Sequence, residues 1–240
     1  MSKLSQRLKK RKGKTIYLLV VETILLLMIV YYLLVAKDAV NAVRVAVSLI
    51  CAMIPLALEI IFSMHIPWPI YAFLIIYACE HMMGACFNLY LYFPWWDNMM
   101  HITEGFMFAV FGYYYLSVGN EKNLKMRIRN IIFAISLAIF IGFIWEIIEY
   151  AMDTIWMFDM QKDVLVTRIS SYLLADTTGE IGTINNISEV VVNGQVLPGY
   201  IDIGLIDTMD DLIMALIGAV VFSLYALIDR DKHPVIRFEE

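Results

Sequence analysis

The run TIYLLVVETILLLMIVYYLLVA, residues Thr15 to Ala36, decides what kind of protein this chain makes. Its 22 residues carry one charge, and at about 1.5 Å per residue such a helix spans the roughly 30 Å hydrocarbon layer. Seven basic residues precede it: Lys3, Arg7, Lys9, Lys10, Arg11, Lys12 and Lys14. A secretory signal has a shorter apolar region, about 7–15 residues, and a small-residue cleavage site. The run is therefore expected to be a retained first helix that follows a basic cytoplasmic arm, residues 1–14.

The rest of the chain has the same character. Of 240 residues, 61% are hydrophobic and 17% charged, with a mean hydropathy of +0.72; soluble domains run at about 45–50% and 25%. Five further apolar stretches are expected to span the bilayer: residues 41–64, 70–90, 96–117, 128–150 and 207–228. Pro67 and Pro69 mark a tight turn, and 119–122 reads as a polar loop. The fold class is an all-α polytopic membrane protein with six transmembrane helices, five of them within 15–150.

The basic residues orient these spans. With the N-terminus inside, fourteen of the 18 Lys and Arg fall on cytoplasmic segments. Lys37, Lys162 and Arg168 fall outside, and Arg44 lies near the outer end of the second span. That is the bias of the positive-inside rule. Both termini are expected in the cytoplasm, with 229–240 as a cytoplasmic tail. Trp95, Trp96, Trp145 and Trp156 then sit near the outer interface, where amphipathic rings prefer to lie.

The one long connection, 151–206, is expected to be a small extracytoplasmic cap. Val190 to Leu197 places Asn193-Gly194 between β-prone runs, a strong local hairpin signal. Cys51, Cys79 and Cys86 lie in apolar stretches without a CxxC pair, so a disulfide framework is not expected. The sequence has no P-loop, no dinucleotide fingerprint and no internal basic stripe, which argues against nucleic acid as a partner.

The chemistry concentrates in Trp95 to Gly105. Asp97, His101 and Glu104 are spaced four and three apart, within about 60° on one helical face. Charged groups at membrane depth are costly and normally turn towards protein, water or a ligand. Glu146, Glu149 and Asp153 share a face of the fifth span, and Asp207 and Asp211 are one turn apart in the sixth. The third carries Glu80 and His81, of which at most one faces a common cluster.

In this topology the acids and histidines of four helices occupy one layer below the outer surface. Carboxylates gathered in a low dielectric must take up protons, pair with bases or bind a cation. Carboxylate with imidazole suits zinc, manganese or iron. The expected metal ligands are Asp97, His101, Glu146, Asp207 and Asp211, with Glu104 or Glu149 as general base. Plainer readings stand beside these: Asp97 and Asp207 as N-caps, His101 as a hydrogen-bonded interior histidine, Glu149 and Asp153 facing outer water. Gly84, Gly105, Gly142 and Gly218 suit helix contacts.

A family pattern now appears. Asp97-x₃-His101 opens a span, Glu146 comes late in the next, and Asp207-Thr208-x₂-Asp211 precedes Leu216-Ile217-Gly218-Ala219. Over roughly residues 70–225 the chain resembles the YjdF-like bacterial integral membrane proteins. It is more distantly similar to the VanZ-like family, whose pattern is Asp-x₃-His, a Glu, and Asp-x₃-Asn-x₂-Gly. Ala215 stands at the position of that Asn, which favours the YjdF-like side. The resemblance implies the bacterial plasma membrane; VanZ-like proteins are linked to glycopeptide-antibiotic resistance at the cell envelope.

These readings lead to an expected metal-assisted hydrolase or transferase acting on a lipid-linked or cell-wall substrate. A cation- or proton-coupled transporter is the alternative, and a non-catalytic envelope receptor or assembly factor a third.

Overall fold

The computed structural model describes residues 8–116, 123–228 and 237–238. The first half of the basic arm, the polar loop expected at 119–122 and most of the tail lie outside the described residues. Packing divides the chain into two units, Met1–Ile141 with Met214–Glu240, and Gly142–Ile213.

Most of the described chain is helical. Four helical segments among the described residues are long and apolar enough to cross a membrane: Lys12–Ala36, Ala39–Ile61, Leu124–Trp156 and Leu205–Ile228. The first is helix α1 (Lys12–Tyr31) continued by a π-helical turn (Tyr32–Ala36), which ends on Lys37 at φ 56°. The second is α2 (Ala39–Ala52) followed by α3 (Ile54–Ile61). Pro55 sits at the start of α3, where its missing N–H breaks the ladder at little cost. The Asp38 carboxylate caps α2 by accepting the Asn41 N–H at 3.0 Å.

The single helix expected over 70–90 is instead three: α4 (Trp68–Tyr77), α5 (Glu80–Cys86) and α6 (Leu89–Tyr92). Asn88 adopts φ 56°, a left-handed conformation that Asn tolerates better than most residues. The turn folds Tyr90 back onto Gly84, where any Cβ would lie 2.3 Å from the phenol ring. Helix α7 (Trp96–Leu116) follows, and then α8 (Leu124–Trp156). Helix α8 runs six residues past the end expected at 150.

In the first unit the core gathers around Tyr71, Tyr113 and Phe222, each at most 1% exposed. Phe222, on the last helix α9 (Leu205–Ile228), meets Phe106 and Tyr113 edge-on at 5.6 and 5.7 Å. Helices α7 and α9 touch backbone to backbone. A Cβ on Gly105 would fall 1.8 Å from the Ala215 carbonyl oxygen, and one on Gly218 1.9 Å from that of Ile102. Small residues permit this approach, and in a membrane the dispersion contacts it allows replace the hydrophobic drive.

One end of this unit is knotted by charge. Glu59 is fully buried, and Arg11 and Lys14 are 6% and 4% exposed. Arg11 Nε donates to Glu59 Oε2 at 3.1 Å and its Nη2 to the Met64 carbonyl at 3.0 Å. Lys14 Nζ donates to Glu59 Oε1, and the Ile66 N–H reaches the same oxygen at 2.6 Å. Burying one carboxylate is tolerable because every charge is paired and hydrogen-bonded. Strand β1 (Met64–His65), in that same loop, pairs antiparallel with β8 (Arg237–Phe238). Arg127 Nη2 donates to the Ala226 carbonyl at 2.8 Å near the end of α9.

The second unit joins the end of α8 to the start of α9 through short strands. Strand β2 (Val164–Val166) pairs with β7 (Tyr200–Asp202), and β3 (Ile169–Ser171) with β4 (Gly182–Ile184), both antiparallel. The expected hairpin is present: β5 (Val190–Val192) pairs with β6 (Gln195–Leu197) in the register Val190↔Leu197. Asn193 and Gly194 take φ 49° and 86°, the two positive values that a tight two-residue hairpin turn requires.

Candidate carboxylate and histidine site

The residues picked out by spacing fall into two sets, one in each unit. The first set belongs to the opening turns of α7. A helix begun at Trp96 puts Asp97, His101 and Glu104 on one stripe, because four and three residues each advance about one turn. His101 is 6% and Glu104 2% exposed. His101 Nδ1 lies 3.1 Å from Glu104 Oε2, and its Nε2 lies 3.9 Å from Asp97 Oδ1. His101 Nδ1 and the Glu104 carboxylate lie within hydrogen-bond distance, which fixes the orientation of the imidazole ring. That is the arrangement which orients a histidine for a metal or a proton. Glu104, read from sequence as a general base, here holds the His101 ring.

The second set lies within Gly142–Ile213. Glu146 and Glu149 are one turn apart on α8 and are 4% and 6% exposed, while Ile147 and Ile148 between them face outward. Asp211, on the second turn of α9 (Leu205–Ile228), is 3% exposed. Each of these three carboxylates offers one oxygen, and the three oxygens lie within 4.8 Å of one another. Glu149 is thus buried rather than turned to water. With an effective dielectric near 20, two like charges at that distance repel by about 3 kcal/mol. A cation placed among the three oxygens would offset that repulsion, and so would a proton taken up by one carboxyl group.

Two residues expected with this group are engaged elsewhere in the unit. Asp207 sits in the first turn of α9 rather than at its cap. The Lys162 N–H donates to Asp207 Oδ2 at 3.0 Å, and Lys162 Nζ lies 3.7 Å from Oδ1. Asp153 shares the Glu146–Glu149 stripe by spacing, but its carboxylate accepts the N–H groups of Met160 and Gln161 at 2.5 and 2.7 Å. It ties down the chain as that chain leaves α8. Nearby, burial first and then the carboxylates of Asp159, Asp153 and Asp202 push the Asp163 carboxyl above its usual range.

Glu80 and His81 form a third grouping, in the first unit, with two partners that spacing did not reveal. Tyr90 donates its hydroxyl to Glu80 Oε1 at 3.0 Å, and Trp96 Nε1 donates to the same oxygen at 3.2 Å. The Tyr90 hydroxyl also lies 3.4 Å from His81 Nδ1. Glu80 therefore pins the start of α7, one residue before Asp97. The available signal was the presence of two polar-tipped aromatics on either side of Pro94.

No curated protein and no solved structure matches this chain. A family model does match, over residues 17–232, which takes in the three groupings of acids and histidines. The resemblance to the YjdF-like membrane proteins is borne out by that match, and the chain belongs to the family described as Predicted membrane protein (DUF2238).

Proposed function

We propose that this membrane protein uses Glu146, Glu149 and Asp211 to hold a divalent metal ion, and that it hydrolyses or transfers a group of a lipid-linked or cell-envelope substrate. The observation that carries the reading is the convergence of three buried carboxylate oxygens within 4.8 Å. A divalent ion in such a site acidifies a bound water and polarises a phosphoryl or carbonyl oxygen. Glu146 and Asp211 serve as ligands, and Glu149 as a third ligand or as general base. In the first unit, Asp97 and His101 are proposed as a separate pair of metal ligands, with Glu104 as general base or as the support of the His101 ring.

The topology belongs to the same proposal. Six spans, cytoplasmic termini, an extracytoplasmic 151–206 cap and a bacterial plasma-membrane location agree with the Lys and Arg distribution. The start of α1 and the β8 strand both reach the Glu59–Ile66 loop, which supports one common side for the two termini.

The reading is tested by turnover of phospholipid and polyprenyl-phosphate substrates by purified protein in proteoliposomes. Activity that is removed by a chelator, restored by zinc, manganese or iron, and lost in Glu146→Gln and His101→Ala supports it. Full activity in both variants contradicts it. A second reading, a proton- or cation-coupled transporter, is favoured by the buried carboxylate–imidazole pair of Glu104 and His101. Ion flux that depends on Glu104 and persists in chelator would establish that alternative.

A further inference from the structure

Glu22 is an acid that neither the carboxylate sites nor the Glu59 pairing uses. It lies within the apolar segment Lys12–Ala36, ten residues from one end and fourteen from the other, about 15 and 21 Å along the axis. Water is out of reach at that depth, because side chains snorkel to the interface only from near helix ends. Its place on α1 is a seam. One turn away, Leu18 and Leu25 are 7% and 2% exposed, whereas Leu19 and Leu26 are 59% and 53% exposed. The Glu22 side chain is accordingly only partly buried, with the protein on one side and the bilayer on the other.

On the packed side the surroundings are apolar. Leu25 belongs to the buried cluster of Val45, Cys79 and Met82, and Leu18 to the one that includes Ala52 and Leu56. Glu22 Oε1 is buried and has no hydrogen-bond partner among the described residues. The titratable groups around it are the free thiols of Cys79, in the first cluster, and of Cys51, beside Ala52 on α2. No charged side chain among the described residues acts on it. The closest cation on α1, Lys14, lies eight residues back and is held by Glu59. A carboxylate with neither counter-ion nor hydrogen bond is very costly in a low dielectric, so such a group stays neutral by keeping its proton.

We propose that Glu22 is a proton-binding site inside the bilayer, a neutral carboxylic acid that meets lipid on one side and the protein on the other. The acid form has a covalent test. Dicyclohexylcarbodiimide dissolves in lipid; one of its nitrogens takes the carboxyl proton, and the carboxyl oxygen bonds to its central carbon. The O-acylisourea then passes its acyl group from oxygen to nitrogen, giving a stable N-acylurea that keeps every atom of acid and reagent. The full chain in proteoliposomes is treated, digested and read by mass spectrometry. Glu22 is expected to gain the adduct at least about tenfold faster than Glu59, which is buried but paired with Arg11 and Lys14. Glu22→Gln is expected to remove the adduct from that peptide. The rate at Glu22 is expected to stay constant from about pH 6 to 8, where the acid form of an ordinary carboxyl falls about tenfold per unit. A water-soluble carbodiimide is expected to label the exposed Glu180 and to spare Glu22. No adduct at Glu22, a rate that falls about tenfold per pH unit, or equal labelling by the water-soluble reagent each overturns the proposal.

Discussion

Replacing Gly105 by alanine is the sharpest structural perturbation of the packing on which the α7 residues depend. The new Cβ falls 1.8 Å from the Ala215 carbonyl oxygen. Real Cβ contacts essentially never lie under 3.0 Å, so α7 and α9 have to separate by about 1.2 Å, the difference between the two. A gap of that order forfeits half or more of each dispersion contact along the crossing, and overpacking of a core typically costs about 1–3 kcal/mol. Alanine returns up to about 1 kcal/mol of helix propensity; with a contact this short the cost sits at the upper end of that range, so the net loss is about 2 kcal/mol. Gly218→Ala meets the Ile102 carbonyl oxygen at 1.9 Å and should behave alike. The two substitutions strain one interface and are not expected to add. Gly112→Ala is the control: its nearest neighbours lie at 3.0 and 3.1 Å, so propensity and crowding nearly cancel. Denaturant unfolding in detergent, followed by tryptophan fluorescence, measures all three. A Gly105→Ala protein as stable as wild type, or no more perturbed than Gly112→Ala, refutes the close crossing.

Other predictions follow from the charges. Glu59→Gln leaves Arg11 and Lys14 buried without their counter-ion and should lower stability by about 3 kcal/mol or more, read in the same unfolding assay; an unchanged midpoint would count against the buried pairing. Asp163→Asn tests the sign of a raised carboxyl. A group easier to protonate when folded than when unfolded costs stability above its folded pKa, and that cost fades as the pH falls through it. The substitution should therefore raise the melting temperature slightly at pH 7, with the gain vanishing towards about pH 4; a loss at pH 7 contradicts the assignment. Tyr90→Phe removes one of the two donors to Glu80 Oε1 and should loosen the start of α7, seen as faster amide hydrogen exchange over residues 96–101.

The sequence was most legible where structure is local. Spacings of three and four put Asp97, His101 and Glu104 on one stripe, and Glu146 with Glu149 on another, because a helix repeats at 3.6 residues. Asn193-Gly194 announced its hairpin because few other pairs accept two positive φ values. Partners distant in the chain were not legible. Glu59 is the one acidic residue of the apolar stretch 41–64, yet its cations, Arg11 and Lys14, lie 48 and 45 residues upstream. The break in the third apolar stretch depends on Asn88 and on the grip of Tyr90 and Trp96 on Glu80, neither of which alters the hydropathy of that stretch. Asp153 and Asp207 fitted the acidic pattern by period, but the loop at 160–162 claims their oxygens.

The central claim is that the carboxylates of Glu146, Glu149 and Asp211 form a metal site. Elemental analysis of the purified protein, with calorimetric titration of zinc, manganese and iron(II), tests it most directly. The account predicts about one tightly held divalent ion per chain, lost in Glu146→Gln and Asp211→Asn proteins that remain folded. Wild-type protein that is metal-free and takes up none of the three ions would contradict it.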